Sequence, residues 1–444
     1  MAFRNSDHFS LSRRAMLSGG TLAGAGIALG GAFGGLTAAL PARAHQIGVT
    51  ARGSIWTGVT KAVEEYVASG KVANMLAAMG WGQGDLELIA RGTLQLGGMT
   101  PVDGDSLYRI YSMTKPITGM ATMMLVEDGR LTLDTPLSDI LPAFADMQVQ
   151  VEYDGAITAD NLEPLKTPIT IRHLLTHTAG LGYGIVQKGP IAKAYSDKGL
   201  VPGQVSRFPI PGLGRSKAVG SLEQFANDLA QMPLVYQPGT VWSYSVGLDL
   251  LGRVIEVVSG QPFDTFLSQR IFEPVGMNST YFQVPDTQIA RLTTNYAVMN
   301  GTLLPIDPAA ASIYLDEPPF PFGGAGLVSS ANDYDRFLRM LVGLGAVDGV
   351  QVMQEGTVRT ATSNLLPDGV RTAGTWVAGE QFGAGGRVSG TAYGWGGAAG
   401  TAAFADIGTG LRAALFTQYM PSETYPIQNQ FPELVLADLA AMAR

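Results

Sequence analysis

Tyr111-Ser112-Met113-Thr114-Lys115 opens the run whose reading decides the fold. Beyond Ser112, the residues Ile117, Met120, Ala121, Met124 and Leu125 recur at the spacing of one helix face. That spacing predicts a buried helix with Ser112 in its first turn. Pro116 fits only near such a start, where its missing N–H has no partner to lose, and Gly129 marks a stop. Ser112 and Lys115 stand three residues apart, so their side chains share a face. An amine held against a hydroxyl in apolar surroundings is driven toward its neutral form and can take the hydroxyl's proton. The unpaired N–H groups of the helix start add positive potential where an oxyanion would form. About one Ser-x-x-Lys arises by chance in a chain of ordinary composition and this length, so the motif stands on its surroundings. No Gly-x-Ser-x-Gly occurs, which removes the nucleophile elbow of an α/β-hydrolase.

The first residues read as an address rather than as fold. Ser12-Arg13-Arg14-Ala15-Met16-Leu17 is a twin-arginine signature, followed by a weakly apolar segment over residues 18–40 and a small-x-small cleavage site at Ala42-Arg43-Ala44. A membrane anchor is the alternative, but eight glycines in that segment make a poor spanning helix. The expectation is a mature protein starting near His45, periplasmic or secreted, with no stable membrane anchor. Removing residues 1–44 takes four basic and one acidic residue from the 29 and 37 of the whole chain and leaves a net charge of −11. That charge argues against nucleic acid or an anionic membrane surface as partner. With no cysteine in the chain, a thiol nucleophile, a thiolate metal site and disulfides are all excluded.

Residues 54–69 read as an amphipathic helix, and β-like runs at 74–82 and 86–96 read as a hairpin. The C-terminal end mirrors them, with β-like runs at 393–407 and 411–420 and a helical pattern over 428–443. Strands at both ends with helical material between predict an α/β (α+β) fold. Its one antiparallel sheet would be flanked by helices and built from both termini, with residues 45–125 and 325–444 forming the sheet domain and 126–324 an inserted helical domain. The clearest internal helices fall at 172–176, 222–231, 247–258, 263–271 and 333–344. Two Gly/Pro-rich loops, 197–220 and 316–326, are long enough to read as rims or lids of a cleft.

Three further segments carry chemistry. Tyr244, in Trp242-Ser243-Tyr244-Ser245-Val246, precedes the helix from Gly247. A cation close to a phenol favours the phenolate, so Tyr244 beside Lys115 would share the base role and later protonate a leaving group. The alternative is an ordinary turn tyrosine packed on a helix end. Tyr393-Gly394-Trp395-Gly396-Gly397-Ala398-Ala399-Gly400-Thr401 is a strand dense in glycine, which marks either close backbone approach by a ligand or a crowded sheet crossing. In the first case Ala398 would donate one N–H to an oxyanion also held by the N–H of Ser112. His173 and His177 stand four apart and on a helix would share a face, but no Glu follows His173 and no third ligand is apparent, so packing is preferred to zinc or a Ser-His-Asp triad. Gly182-Tyr183-Gly184 places another tyrosine on a flexible loop.

Together these segments resemble the serine β-lactamase and penicillin-binding-protein superfamily, and most closely its family VIII carboxylesterase branch. Besides Ser112 to Lys115, Tyr244 to Val246 and Trp395-Gly396-Gly397, the resemblance rests on residues 174–181 and 323–330, in the family order. It implies a β-lactamase-like fold with Ser112 as the acylated nucleophile, Lys115 its partner, Tyr244 the base and proton donor, and Ala398 the second oxyanion donor. Tyr183, Trp395, Gly396 and Gly397 would contact substrate; no cofactor and no metal ion is called for. Where β-lactamases carry an asparagine two residues after the tyrosine, this chain has Val246; where they carry Lys-Thr-Gly, it has Trp395-Gly396-Gly397. Without the lysine a β-lactam loses its charged anchor, while an apolar wall suits neutral acyl groups. The expected function is a serine carboxylesterase acting on small-molecule, short-chain acyl esters. Rival readings are β-lactam hydrolysis, D-amino-acid amide cleavage or acyl transfer on the same site, and a silent binding module of the same fold.

Overall fold

The computed structural model describes residues 55–208 and 218–442. The expected export signal, its cleavage site and His45 lie outside those residues, as do residues 209–217 of the first long loop. Six helices bear on the site: α1 (Thr57–Ala68), α2 (Thr114–Glu127), α3 (Ile171–Leu175), α4 (Gly247–Ser259), α5 (Ala331–Val342) and α6 (Ile427–Met442).

The main sheet starts from β1 (Asn74–Trp81), whose Leu76 and Ala78 enter one core while Met75, Ala77 and Met79 enter another. This is the period-two consequence of a strand buried on both faces. The remaining strands are β2 (Leu86–Gly92), β3 (Gln381–Phe382), β4 (Arg387–Ser389), β5 (Ala392–Gly396), β6 (Ala402–Asp406) and β7 (Leu411–Phe416). Their order is β3-β4-β5-β6-β7-β1-β2, with every neighbour antiparallel. N- and C-terminal segments meet at β1 and β7, where Leu76 faces Phe416 and Ala78 faces Ala414. The expected single sheet built from both termini is therefore present.

On one face of the sheet α1 and α6 share a core of Trp56, Val59, Val63, Phe431 and Val435. No side chain near its start caps α1, and Asp438 of α6 takes that place, accepting the N–H groups of Gly58 at 2.8 Å and Val59 at 3.0 Å. A carboxylate at a helix N-terminus satisfies orphan donors and faces the positive end of the dipole.

Helix α2 lies on the other face. Every residue from Thr114 to Leu125 is buried, so the periodic apolar face read from the sequence is part of a helix covered on all sides. Its polar residues find internal partners: Thr118 Oγ1 donates to the Gly323 carbonyl at 2.7 Å and Thr122 Oγ1 to the Thr118 carbonyl at 3.0 Å. Glycine is required at 119, where a Cβ would lie 2.0 Å from the Ala384 carbonyl oxygen.

Three other expectations change. The run 393–407 divides into β5 and β6, because Gly397 to Gly400 make a turn in which the Gly397 N–H donates to the Thr401 carbonyl at 2.8 Å and Gly400 has φ of 82°. The helix expected at 263–271 is α-helical over Phe263–Leu267 and widens into a π turn over Ser268–Phe272. His173 and His177 do not share a helix face, since α3 ends at Leu175 and His177 has φ of 55°. His173 instead closes a capping box, accepting the Thr170 N–H on Nδ1 at 3.2 Å.

Two stability outcomes follow. Gly119→Ala gains about 1 kcal/mol of helix propensity, but forcing a methyl against backbone costs about 1–3 kcal/mol; the urea midpoint should fall, and a raised midpoint would show that the Ala384 segment yields freely. Burial, with Arg172 adding to it, lowers the His173 pKa from 6.5 to about 4. Below pH 6.5 the unfolded chain takes a proton that the folded chain refuses, so this stability is full above 6.5 and is lost as pH falls through about 4. Urea unfolding at pH 7 and pH 4 should show His173→Gln losing about 2–3 kcal/mol less than the parent between those values; equal losses would contradict it.

Candidate active site

Ser112 lies in a 3-10 turn, Tyr111–Met113, that runs into α2, with Tyr111 at φ of 42°. The segment before it is anchored by Arg109, fully buried, whose Nε donates to Asp307 Oδ2 at 2.6 Å and whose Nη2 donates to Ser312 Oγ at 3.0 Å. A buried guanidinium is tolerable only with such saturation of its donors. Ser112 itself is partly exposed, while Lys115 is completely buried.

Lys115 Nζ donates to Ser112 Oγ at 3.2 Å and to the Gly324 carbonyl at 2.7 Å. It also sits 4.6 Å from the centre of the Tyr244 ring and 5.8 Å from that of Tyr183. Tyr244 precedes α4, and its hydroxyl accepts the Trp395 indole N–H at 3.1 Å. The Tyr183 ring meets that of Tyr244 edge-on at 5.1 Å. Ser112, Lys115, Tyr244, Tyr183 and Trp395 are thus brought together from four separate segments. Tyr183 is buried, its N–H bonded to Gln187 Oε1, rather than carried on a flexible loop. Burial, and then Tyr244 and Asp249, push its phenol well above the ordinary range, so it stays protonated.

Beyond Gly394 the edge of β5 is open on the β4 side, because β4 pairs no further than Arg387 with Gly394. The next residue but one, Gly396, turns its backbone groups to that edge, since strand residues alternate sides and Gly397 bonds toward β6 through Thr401. In the following turn a Cβ at Gly397 would lie 2.3 Å from the Ile110 carbonyl oxygen, and Ala398 packs against the small apolar cluster that includes Tyr111. The turn thus lies against the one bearing Ser112. Among the described residues the Ala398 N–H has no hydrogen-bond partner, as a donor kept for an oxyanion would require. The Gly397 carbonyl is held by Gln428 Nε2 at 2.8 Å. Val246 is fully buried at the start of α4, its N–H directed to the Gly182 carbonyl.

Two side chains outside the expected set stand in the same shell. Asp249, completely buried on α4, accepts the Gly324 N–H at 2.8 Å, and Gly324 in turn accepts from Lys115. Burial raises its carboxyl pKa to about 6 against the opposing pull of Lys115. A Cβ at Gly324 would come 2.6 Å from Asp249 Oδ2, so this contact requires glycine. Asp249 was invisible in the sequence because a single acid in an amphipathic helix reads as solvated; only its position on the buried face distinguishes it. His177 packs its ring 4.7 Å from Tyr244 and shares a hydrogen bond through Nδ1 with Ser245 Oγ at 3.0 Å. Burial and then Lys115 lower its pKa well below the ordinary value, so the imidazole is neutral and its hydrogen-bonded partner is Ser245 rather than Ser112.

The chain is 36% identical over 268 residues to protein Rv1367c of Mycobacterium tuberculosis, covering 60% of this chain and 62% of that protein. It is 31% identical over 257 residues to esterase EstB of Burkholderia gladioli, covering 54% and 58%. These matches span about three fifths of the curated relatives. In fold it is similar to the structure of EstCE1, described as a hydrolase with promiscuous acyltransferase activity, with a TM-score of 0.69 over 87% of this chain and 98% of that one at 24% identity. The Beta-lactamase family model matches residues 59–436, a span that takes in every segment of the site, and the chain belongs to that family.

Proposed function

We propose that the protein is a serine carboxylesterase that hydrolyses short-chain acyl esters through an acyl-enzyme on Ser112. The observation that carries this reading is Lys115 Nζ at 3.2 Å from Ser112 Oγ and 4.6 Å from the centre of the Tyr244 ring. In the proposed reaction Ser112 Oγ attacks the ester carbonyl carbon, and its proton passes to the Lys115–Tyr244 pair, which acts as one coupled base. The carbonyl oxygen would take its charge between the N–H groups of Ser112 and Ala398. Collapse breaks the bond to the alcohol oxygen, which takes the proton back. Water then attacks the acyl-enzyme with the same base and returns Ser112 free.

Lys115 must stay aligned through both steps, and the Gly324 carbonyl fixes it while Asp249 fixes Gly324. The choice of ester over β-lactam rests on position 395, where an indole replaces the expected ammonium and directs its only donor to Tyr244. An apolar, uncharged wall there favours a neutral acyl group. The export signature at Arg13-Arg14 supports action in an extracytoplasmic space.

Initial rates on p-nitrophenyl butyrate and on a chromogenic cephalosporin test the reading directly. Ester turnover should dominate; equal or faster cephalosporin cleavage would refute it. An added alcohol acceptor shows by product analysis whether acyl transfer competes with hydrolysis. Ser112→Ala should abolish turnover, and Tyr244→Phe should reduce kcat by about 10²–10⁴-fold; full activity in either variant removes that residue from the mechanism.

A further inference from the structure

A cavity of about 190 Å³ adjoins Tyr244, walled by Tyr153, Tyr236, Trp242 and Trp376 and lined as well by Arg371. Neither Ser112, Lys115 nor Ala398 lines it, so the cavity meets the catalytic group only through Tyr244. Its walls are flat: Tyr153 and Tyr236 stack at 4.8 Å with 13° between their planes, and Trp376 lies 4.8 Å from the Tyr244 ring. Trp376 is 47% exposed and Tyr153 41%, an unusual display of large ring surface. A cavity of about 150 Å³ is enough to take benzene, so this one has room for a single substituted ring.

Arg371 gives the cavity a charge. Its backbone is pinned on both sides, its N–H donating to the Thr240 carbonyl at 2.9 Å and its carbonyl accepting the Trp242 N–H at 3.0 Å. The positive charge of the guanidinium acts on the Tyr236 phenol, and it forms no ion pair among the described residues. Asp154, whose charge also acts on Tyr236, accepts the N–H groups of Lys188 at 2.6 Å and Gly189 at 2.8 Å on Oδ2, while its buried Oδ1 has no hydrogen-bond partner among the described residues. By contrast Arg387, over the Trp395 ring, is paired with Glu380 at 2.9 Å. An exposed, unpaired guanidinium beside stacked aromatic walls suits a carboxylate on a planar ring.

Resting on the esterase reading, we infer that this cavity receives the alcohol half of the ester and that Arg371 selects alcohols carrying a carboxylate on an aromatic ring. The direction follows from the chemistry. The acyl carbon bonds to Ser112 Oγ, the bond to the alcohol oxygen breaks, and the proton delivered to that oxygen comes from the Lys115–Tyr244 pair. The departing hydroxyaryl carboxylate therefore leaves past Tyr244, into the cavity that Tyr244 lines. Its carboxylate meets Arg371 while its ring lies among Tyr153, Tyr236 and Trp376.

Two butyrate esters with the same acyl group test this: p-nitrophenyl butyrate and 3-carboxy-4-nitrophenyl butyrate. The ratio of kcat/KM for the carboxylated over the neutral ester should fall about 10-fold in Arg371→Gln, the lower end for a charge-assisted hydrogen bond at an exposed site. Lys61→Gln removes a charge on α1, across the sheet, and should leave the ratio unchanged. An unaltered ratio in Arg371→Gln, or an equal fall in Lys61→Gln, overturns the inference. A readout without turnover separates it from the esterase reading: 3-hydroxybenzoate titrated into Ser112→Ala protein, followed by tryptophan fluorescence. Saturable binding weakened about 10-fold by adding Arg371→Gln supports the cavity even if neither ester is cleaved. Binding that is absent or indifferent to Arg371 refutes it even if both esters are.

Discussion

A lysine with no exposed surface must have every polar contact supplied by the protein, and much of this structure is arranged to supply them for Lys115. Its Nζ meets the Ser112 hydroxyl, the Gly324 carbonyl and the faces of two tyrosines. Charge transferred from water into a protein interior is costly unless hydrogen-bonded and paired. The nearby buried carboxyl of Asp249 supplies the opposing charge and holds Gly324 in place at once. Losing any one of these contacts would leave the others poorly placed, which ties helix α2, helix α4 and the loop through Gly324 into one unit.

That unit is kept tight by close backbone approach. Glycine at 119 lets the Ala384 segment reach α2, glycine at 324 admits Asp249, and glycine at 397 brings the turn after β5 against the Ile110 carbonyl. Each is a point where a methyl group would displace main chain or a functional carboxylate. Together with the saturated guanidinium of Arg109 just ahead of the turn, they fix Ser112 relative to the open edge of β5. Preorganisation of this kind places hydrogen-bond donors before charge develops, so no reorganisation is needed during reaction.

The aromatic groups divide the space around this unit. Trp395 and Tyr183 close on Tyr244 from within the site, while Trp376 meets the same ring from the side of the cavity that holds Arg371. Tyr244 is thus common to the cluster around Ser112 and Lys115 and to the cavity.

Local pattern was enough to reveal the sheet from both termini, the helix that starts at Ser112, and the pairing of Ser112 with Lys115, because period and three-residue spacing are properties of neighbouring residues. The resemblance of five short segments extended this to Tyr244, Tyr183 and Trp395. Pattern failed where the backbone of a turn, or a partner distant in the chain, decided the outcome. The run 393–407 looks continuous until Gly397 to Gly400 fold it back, and α2 looks amphipathic until the Ala384 and Gly323 segments cover its polar threonines. Asp249 and Arg371 are single charged residues with no local signature. One becomes a buried brace for the loop that holds Lys115 and the other an unpaired cation beside flat aromatic walls only through residues 75 and 130 positions away, Gly324 and Val241. Charge in a sequence states what a residue carries; burial and the company it keeps, which decide what that charge does, exist only once the chain has folded.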